Sequence, residues 1–305
     1  MIIPTYNREE ILTNCLEKLL VNTTIRCSSE LIHSINEFNF EVIVSDDSEQ
    51  TCHNLDKKFE ISVIEGPKKG PAANRNFGAK HSRGKWLIFI DDDTSPCDEF
   101  IFHYGTTLER NNYNLDIMEG AIKSLESINS PFYRMSENLS GNNFFSGNIS
   151  FNANVFKKLG GFDEEMIIME DLEIKHRILS SKLKTQFVRK AFVFHPAQKF
   201  GIKFLIERIF HYKWLLLLKL KCQNGEPKNI LSELLVSTYE HLHLQLRTTN
   251  NLIKHLDKSI WFNQIIWQII YWGTVPIVIP YLWFWSIKYN ISYKKGRITI
   301  YPTIK

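Results

Sequence analysis

Short apolar runs that break into polar turns, each followed by helically spaced apolar positions, recur through residues 1–196. Residues 1–3 begin apolar and turn at Pro4-Thr5-Tyr6-Asn7-Arg8; residues 9–20 then place Ile11, Leu12, Leu16, Leu19 and Leu20 at helical spacing. Residues 41–45, with Val42, Ile43 and Val44 at their heart, predict a second strand that ends in Asp46-Asp47-Ser48. Residues 61–64 predict a third, leading into the loop Gly66-Pro67-Lys68-Lys69-Gly70-Pro71. The spacing predicts a helix over 71–81, with Pro71 at an early position where proline is tolerated. Residues 86–90, Trp-Leu-Ile-Phe-Ile, are continuously apolar, the mark of a strand buried on both faces, and run straight into Asp91-Asp92-Asp93. Strand, turn and helix in repetition predict an α/β fold, a mostly parallel sheet with crossover helices.

Beyond the aspartates, residues 98–112 predict a helix, with Phe100, Ile101, Tyr104 and Leu108 on one side. Residues 116–140 read as an excursion outside the core sheet, and the alternating stretch 144–151, with its glycine, as an edge strand. A helix over 152–159 closes at Gly160-Gly161. Another opens at Glu170-Asp171, where acids favour the helix dipole. A final strand over 187–194 ends at His195-Pro196.

The C-terminal third differs in kind: six of the seven Trp lie beyond residue 210. The expected division is a domain over 1–200 and a helical, aromatic-rich region over 201–305. Residues 200–221 alternate lysine and arginine with bulky apolar side chains, as interfacial helices do. Residues 265–285 are apolar except for Gln268 and Thr274, long enough for one bilayer crossing, with lysines on both flanks. Gly273, Pro276 and Pro280 disfavour a straight helix there. The expectation is a bent segment dipping into one leaflet; a full crossing, or a helical pair in a core or subunit interface that would make a homo-oligomer, are the alternatives.

Composition narrows the picture. The net charge of +4, from 37 basic and 33 acidic residues, is too small to imply nucleic acid. Five cysteines, an odd number without Cys-x-x-Cys spacing, exclude a disulfide framework or structural zinc and fit a reducing cytoplasm. The first residues carry no signal-peptide pattern.

The chemistry concentrates at strand ends. Open α/β sheets bind ligands outside the carboxyl ends of their strands. Three adjacent carboxylates there repel one another, and a divalent cation shared with a substrate phosphate relieves this; a solvated acidic turn is the plainer reading. Asp47 suits a base N–H, or else caps a turn. Arg75 suits a diphosphate; Lys68 and Lys69 add charge beside it or are simply solvated. His195 is a second metal candidate or a core histidine. Asp171 is a general base or only a helix N-terminal acid. Asn148 and Asp163 are weaker acceptor-side candidates.

Five segments together carry a resemblance. Pro4-Thr5-Tyr6-Asn7-Arg8, Val44-Ser45-Asp46-Asp47-Ser48, Gly70 to Gly78 with Asn74-Arg75-Asn76, Asp91-Asp92-Asp93, and Gly160-Gly161-Phe162-Asp163-Glu164 with Glu170-Asp171 and Arg177 stand in this order. The chain over 1–196 resembles the family 2 glycosyltransferases of the GT-A (Rossmann-like) fold. The resemblance implies an inverting transfer of sugar from a nucleotide donor, UDP-linked, with Mn²⁺ or Mg²⁺. It implies a base and ribose pocket from Pro4, Thr5, Tyr6, Arg8 and Asp47, the diphosphate at Arg75, and Asp91 at the ribose hydroxyls. Asp92 would lie between and face away, with Asp93 and His195 on the metal and Asp171 as base. The expected acceptor is a glycan or lipid-linked glycan of a bacterial surface polysaccharide, at the cytoplasmic face of the cell membrane. A nucleotidyltransferase, or a non-catalytic carbohydrate- or partner-binding protein on the same scaffold, is the alternative.

Overall fold

The computed structural model describes residues 1–21, 23–27, 31–126, 133–134, 136–199 and 211–222, and most of 280–299. Most of the expected membrane-contacting run, residues 265–279, lies outside the described residues. The chain forms two compact units, one of residues 1–126 and 136–196, the other of 127–135 and 197–305.

The first unit is built in chain order from β1 (Ile2–Thr5), α1 (Glu9–Leu20), β2 (Thr24–Cys27), β3 (Ile32–Ile35), β4 (Phe38–Glu41), β5 (Ile43–Asp46), α2 (Asn54–Phe59) and β6 (Ser62–Glu65). Then come α3 (Pro71–His81), β7 (Trp86–Ile90), β8 (Ser95–Pro96), α4 (Phe100–Arg110) and β9 (Ile117–Ser124). In the second unit β10 (Tyr133–Arg134) pairs antiparallel with β13 (Gln198–Lys199). The first unit closes with β11 (Asn148–Asn152), α5 (Ala153–Leu159), α6 (Glu170–Leu179) and β12 (Thr185–His195). The second unit also holds α7 (Tyr212–Cys222) and helical turns within 280–294.

One eight-stranded sheet organises the first unit, in the order β6-β5-β1-β7-β11-β9-β12-β8. Strands β6, β5, β1 and β7 run parallel, and the inner three are the buried apolar runs, as parallel strands covered on both faces are. Strand β11 then enters antiparallel to both β7 and β9, so the sheet is mixed. Two apolar cores cover it. One contains Leu12, Leu16, Val44, Ile90 and Tyr104, the other Ile2, Phe89, Phe151, Phe156 and Phe162. Gly78 lets α3 lie close on β1, since a Cβ there would stand 2.6 Å from Cγ2 of Ile2.

Two sequence expectations fail. Residues 117–124 are no excursion: they form β9, buried between β11 and β12. Residues 148–152 are no edge strand, because β11 pairs on both sides. The helices at 71–81 and 170–179 stand where the spacing put them.

Candidate active site

The carboxyl ends of β1, β5 and β7 lie side by side and open onto one crevice edge, which carries Thr5, Asp46-Asp47 and Asp91-Asp92-Asp93. Thr5, after Pro4 at the end of β1, donates its hydroxyl to Oδ2 of Asp92 at 2.7 Å. Arg8 at the start of α1 donates to Oδ1 of Asp92 at 3.2 Å and Oδ2 of Asp93 at 3.3 Å. The turn after β1 is thereby tied to the tail of β7. Asp92 is buried under these two donors, and burial pushes its carboxyl up to about 6. Tyr6 on the same turn is 60% exposed.

The two acids after β5 divide their work. Asp46 accepts from the backbone N–H and hydroxyl of Ser48 and the N–H of Cys52, so it holds the turn. Burial opposes its charge, yet these donors hold it below the usual carboxylate range. Asp47 accepts the Lys68 N–H at 2.9 Å, and burial raises it. The side chain of Asn74 on α3 donates to the Thr5 carbonyl, and its Oδ1 is buried with no partner. Gly66 sits against both: a Cβ would stand 2.2 Å from Oδ1 of Asp47 and 2.7 Å from Oδ1 of Asn74. Lys68 reaches Glu65 at the surface.

Asp91, Asp93 and His195 bring one ligand atom each within 4.8 Å of one another. Nδ1 of His195 lies 2.8 Å from the Pro196 carbonyl. A carbonyl only accepts, so Nδ1 carries a proton, and Nε2 faces Oδ1 of Asp93, 3.4 Å away. Two carboxylates and an imidazole suit a divalent ion, so the residues fit a resident metal. Gly147 makes room for this group: a Cβ there would meet Oδ2 of Asp91 at 2.7 Å. The sequence argument gave the metal to Asp93 and His195 and Asp91 to the ribose; the geometry groups Asp91 with the other two.

Arg75 projects from α3 and is buried. It donates to Oδ1 of Asp91 at 2.6 Å and to Oε1 of Glu170 at 3.0 Å. Burial works against its charge, but Asp91 and Glu170 hold it above its ordinary value. Next to Glu170, Asp171 accepts the Ser146 N–H at 2.8 Å. Burial raises both acids, and the Asp171 charge raises Glu170 further. Buried acids whose pKa is raised in this way are candidates for proton transfer.

Sequence reasoning gave Glu170 no site role; its place next to Asp171 was the available signal for its contact with Arg75. Asn148, a weaker acceptor-side candidate, has its side chain engaged inside the sheet. It is buried, accepts from the Tyr104 hydroxyl and donates to the carbonyls of Ala121 and Ala191. Asp163 is buried too, and its side chain accepts the Glu165 N–H in a turn.

The family model described as glycosyl transferase family 2 matches residues 1–157. The chain belongs to glycosyl transferase family 2. A relative described as an uncharacterized glycosyltransferase, from Haemophilus influenzae, is 26% identical over 202 residues. The match covers 61% of this chain and 64% of that protein, less than two thirds of its length. Among solved structures, residues 1–349 of TarS from Staphylococcus aureus, a poly(ribitol-phosphate) β-N-acetylglucosaminyltransferase, in complex with UDP-GlcNAc, is similar with a TM-score of 0.52. It is 17% identical, and the match covers 97% of this chain and 91% of that one. The mannosyltransferase PcManGT from Pyrobaculum calidifontis, in complex with GDP-Man and Mn²⁺, is similar with a TM-score of 0.51 at 13% identity, over 96% of this chain and 86% of that one. The mixed, Rossmann-like sheet followed by C-terminal helices is the GT-A architecture of the family. Family and fold are those of glycosyltransferases, and Asp91, Asp93 and His195 make a candidate divalent-metal site.

Proposed function

We propose that the chain is an inverting, metal-dependent hexosyltransferase that moves a sugar from a UDP donor to a glycan or lipid-linked glycan of a bacterial surface polysaccharide. The observation that carries this is the meeting of the Asp91–Asp93–His195 cluster with the Glu170–Asp171 pair through one arginine. UDP-GlcNAc with the similar TarS fragment supports the donor, and poly(ribitol-phosphate) in that protein's description supports a surface polymer as acceptor.

Asp91, Asp93 and His195 would hold Mn²⁺ or Mg²⁺, which when bound neutralises charge on the departing diphosphate. Asp47 accepts an N–H of the base, with Pro4, Thr5 and Arg8 shaping the wall beside it and Tyr6 closing over it. Asp92 stays with Thr5 and Arg8 and sets their position. Asp171 takes the proton from the acceptor hydroxyl as that oxygen attacks C1 and the C1–diphosphate bond breaks, with inversion and no covalent intermediate. Contact with the cytoplasmic face of the membrane through the C-terminal region, near a lipid-linked acceptor, completes the reading.

Calorimetry of UDP binding with Mn²⁺ and with EDTA tests the donor side. Affinity should be higher with the ion, and Asp93→Ala should erase the difference. Equal affinity in the wild type removes the metal from the proposal. Asp171→Asn should keep UDP affinity and lower turnover by about 10²- to 10⁴-fold, the span of general base catalysis. Unchanged turnover removes Asp171 as base.

A further inference from the structure

Arg75 is a cation placed where a donor diphosphate would be welcome, yet its terminal nitrogens are already committed. Nη2 is 2.6 Å from Oδ1 of Asp91, a charge-assisted bond at the short end of its range. Nη1 is 3.0 Å from Oε1 of Glu170. The remaining Nε is itself buried and presents no surface to a ligand. The ring of Phe162 covers the guanidinium, with its centroid 5.7 Å from Cζ.

The elements it joins need joining. Helix α6 starts at Met169, which has a left-handed φ of 68° and gives no side-chain cap. Beside the bonds of its own Leu172 and Glu173 N–H groups to the Met169 carbonyl, the first turn of α6 is tied from outside: Arg75 holds Glu170, and the Ser146 N–H holds Asp171. At its other end the same guanidinium holds Asp91, one of the three cluster ligands.

We infer that Arg75 is a positioning residue, a planar fork that sets the Glu170–Asp171 pair at a fixed place relative to the metal cluster, and is not a ligand of the donor diphosphate. This rests on the proposed glycosyl transfer and deepens it. The fork is what matters, because a lysine brings one charge centre and cannot hold two carboxylates at these angles. The charged and polar groups facing the acid pair are Arg75 from α3, Asp91 from the tail of β7 and the Ser146 N–H before β11. Arg75 is the cation among them, so loosening it raises the pair's titration.

The test is Arg75→Lys against wild type, with three readouts. Calorimetry with UDP and Mn²⁺ should give affinity within about 3-fold of wild type. UDP release at saturation, from UDP-GlcNAc or whichever of UDP-glucose and UDP-galactose the wild type consumes, should fall at least about 10-fold, with the acid limb of the rate profile moved to higher pH. In the metal-free protein, ¹³C carboxyl shifts should show the pair titrating at higher pH. UDP affinity reduced about 10-fold or more with turnover unchanged at saturation makes Arg75 a donor ligand and overturns the inference. No change in any readout overturns it as well. If Arg75→Lys does not fold, Glu170→Gln replaces it: turnover should fall with UDP affinity kept, and unchanged turnover is fatal. A wild type that consumes no UDP-sugar counts against the functional reading, and the carboxyl titration then still decides the role of Arg75.

Discussion

Asp91, Asp92 and Asp93 are consecutive in the chain, but only the first and third join His195, while the middle one is spent on Thr5 and Arg8. They lie in the turn after β7, where Arg8 reaches both Asp92 and Asp93 from one nitrogen, so their other partners divide them rather than strand alternation. The cost of the arrangement falls on Asp92. Burial raises its folded-state pKa from 3.8 to about 6, so the folded protein holds that proton more tightly than the unfolded chain. The contribution to stability is full below pH 3.8 and is lost as pH rises through about 6. It amounts to a change on the order of 3 kcal/mol. Asp46 has a lowered pKa and acts in the opposite direction, so the wild type alone does not isolate the effect. Asp92→Asn does. Urea unfolding in EDTA should show the variant gaining stability on the wild type between pH 4 and 6.5. Parallel curves across that window would mean Asp92 titrates normally and is solvated in the folded state.

At the scale of elements, the loop from β6 to α3 shows how backbone makes a site. Gly66 is needed less for its conformation than for its missing side chain, because the oxygens of Asp47 and Asn74 occupy the space of a Cβ. Gly66→Ala should cost about 1–3 kcal/mol of stability, the usual penalty of overpacking. By displacing Asp47 it should also weaken UDP binding by about an order of magnitude. Wild-type melting together with wild-type UDP affinity would take the base pocket away from Asp47. The same contrast explains what the sequence revealed. Strand β7 and helices α3 and α6 were legible because each has an uninterrupted local signal: a continuous apolar run, a proline at the start, acids in a first turn. Strand β9 was not, because Glu119 and Lys123 break its apolar pattern. Glu119 is buried all the same, accepting from the backbone N–H groups of Asn142, Asn143 and Phe144 and from the Asn138 amide. Those partners lie about twenty residues further on, beyond the reach of any periodicity argument. Gly147 misled in the same way: it read as the mark of an edge strand, whereas its bareness admits Oδ2 of Asp91. In the site the acids at strand ends were legible, and the Arg75–Glu170 link, a contact across 95 positions, was not.

For the whole molecule the open matter is what the aromatic C-terminal region meets. In the second unit Trp283, Phe284, Ile287 and Ile291 are exposed, and Lys288 lies over the Trp285 ring at 4.3 Å. Large apolar side chains beside cations are how interfacial helices present themselves to anionic lipid. Among the described residues no helix is long and apolar enough to cross a membrane. A spanning segment would in any case have to accommodate Gly273, Pro276 and Pro280, whereas a segment lying in one leaflet tolerates a bend. Attachment to one surface would also bring a lipid-linked acceptor to the enzyme. The consequence is measurable by flotation with vesicles of phosphatidylglycerol and phosphatidylcholine. The full chain should float, a chain ending at residue 256 should float far less, and high salt should weaken binding by screening the lysines. If the full chain stays at the bottom and is soluble without detergent, the apolar run is covered by protein, and the acceptor belongs among water-soluble glycans. The donor-side residues would be untouched by that outcome, since Asp47, Asp91, Asp93 and His195 all stand in the first unit.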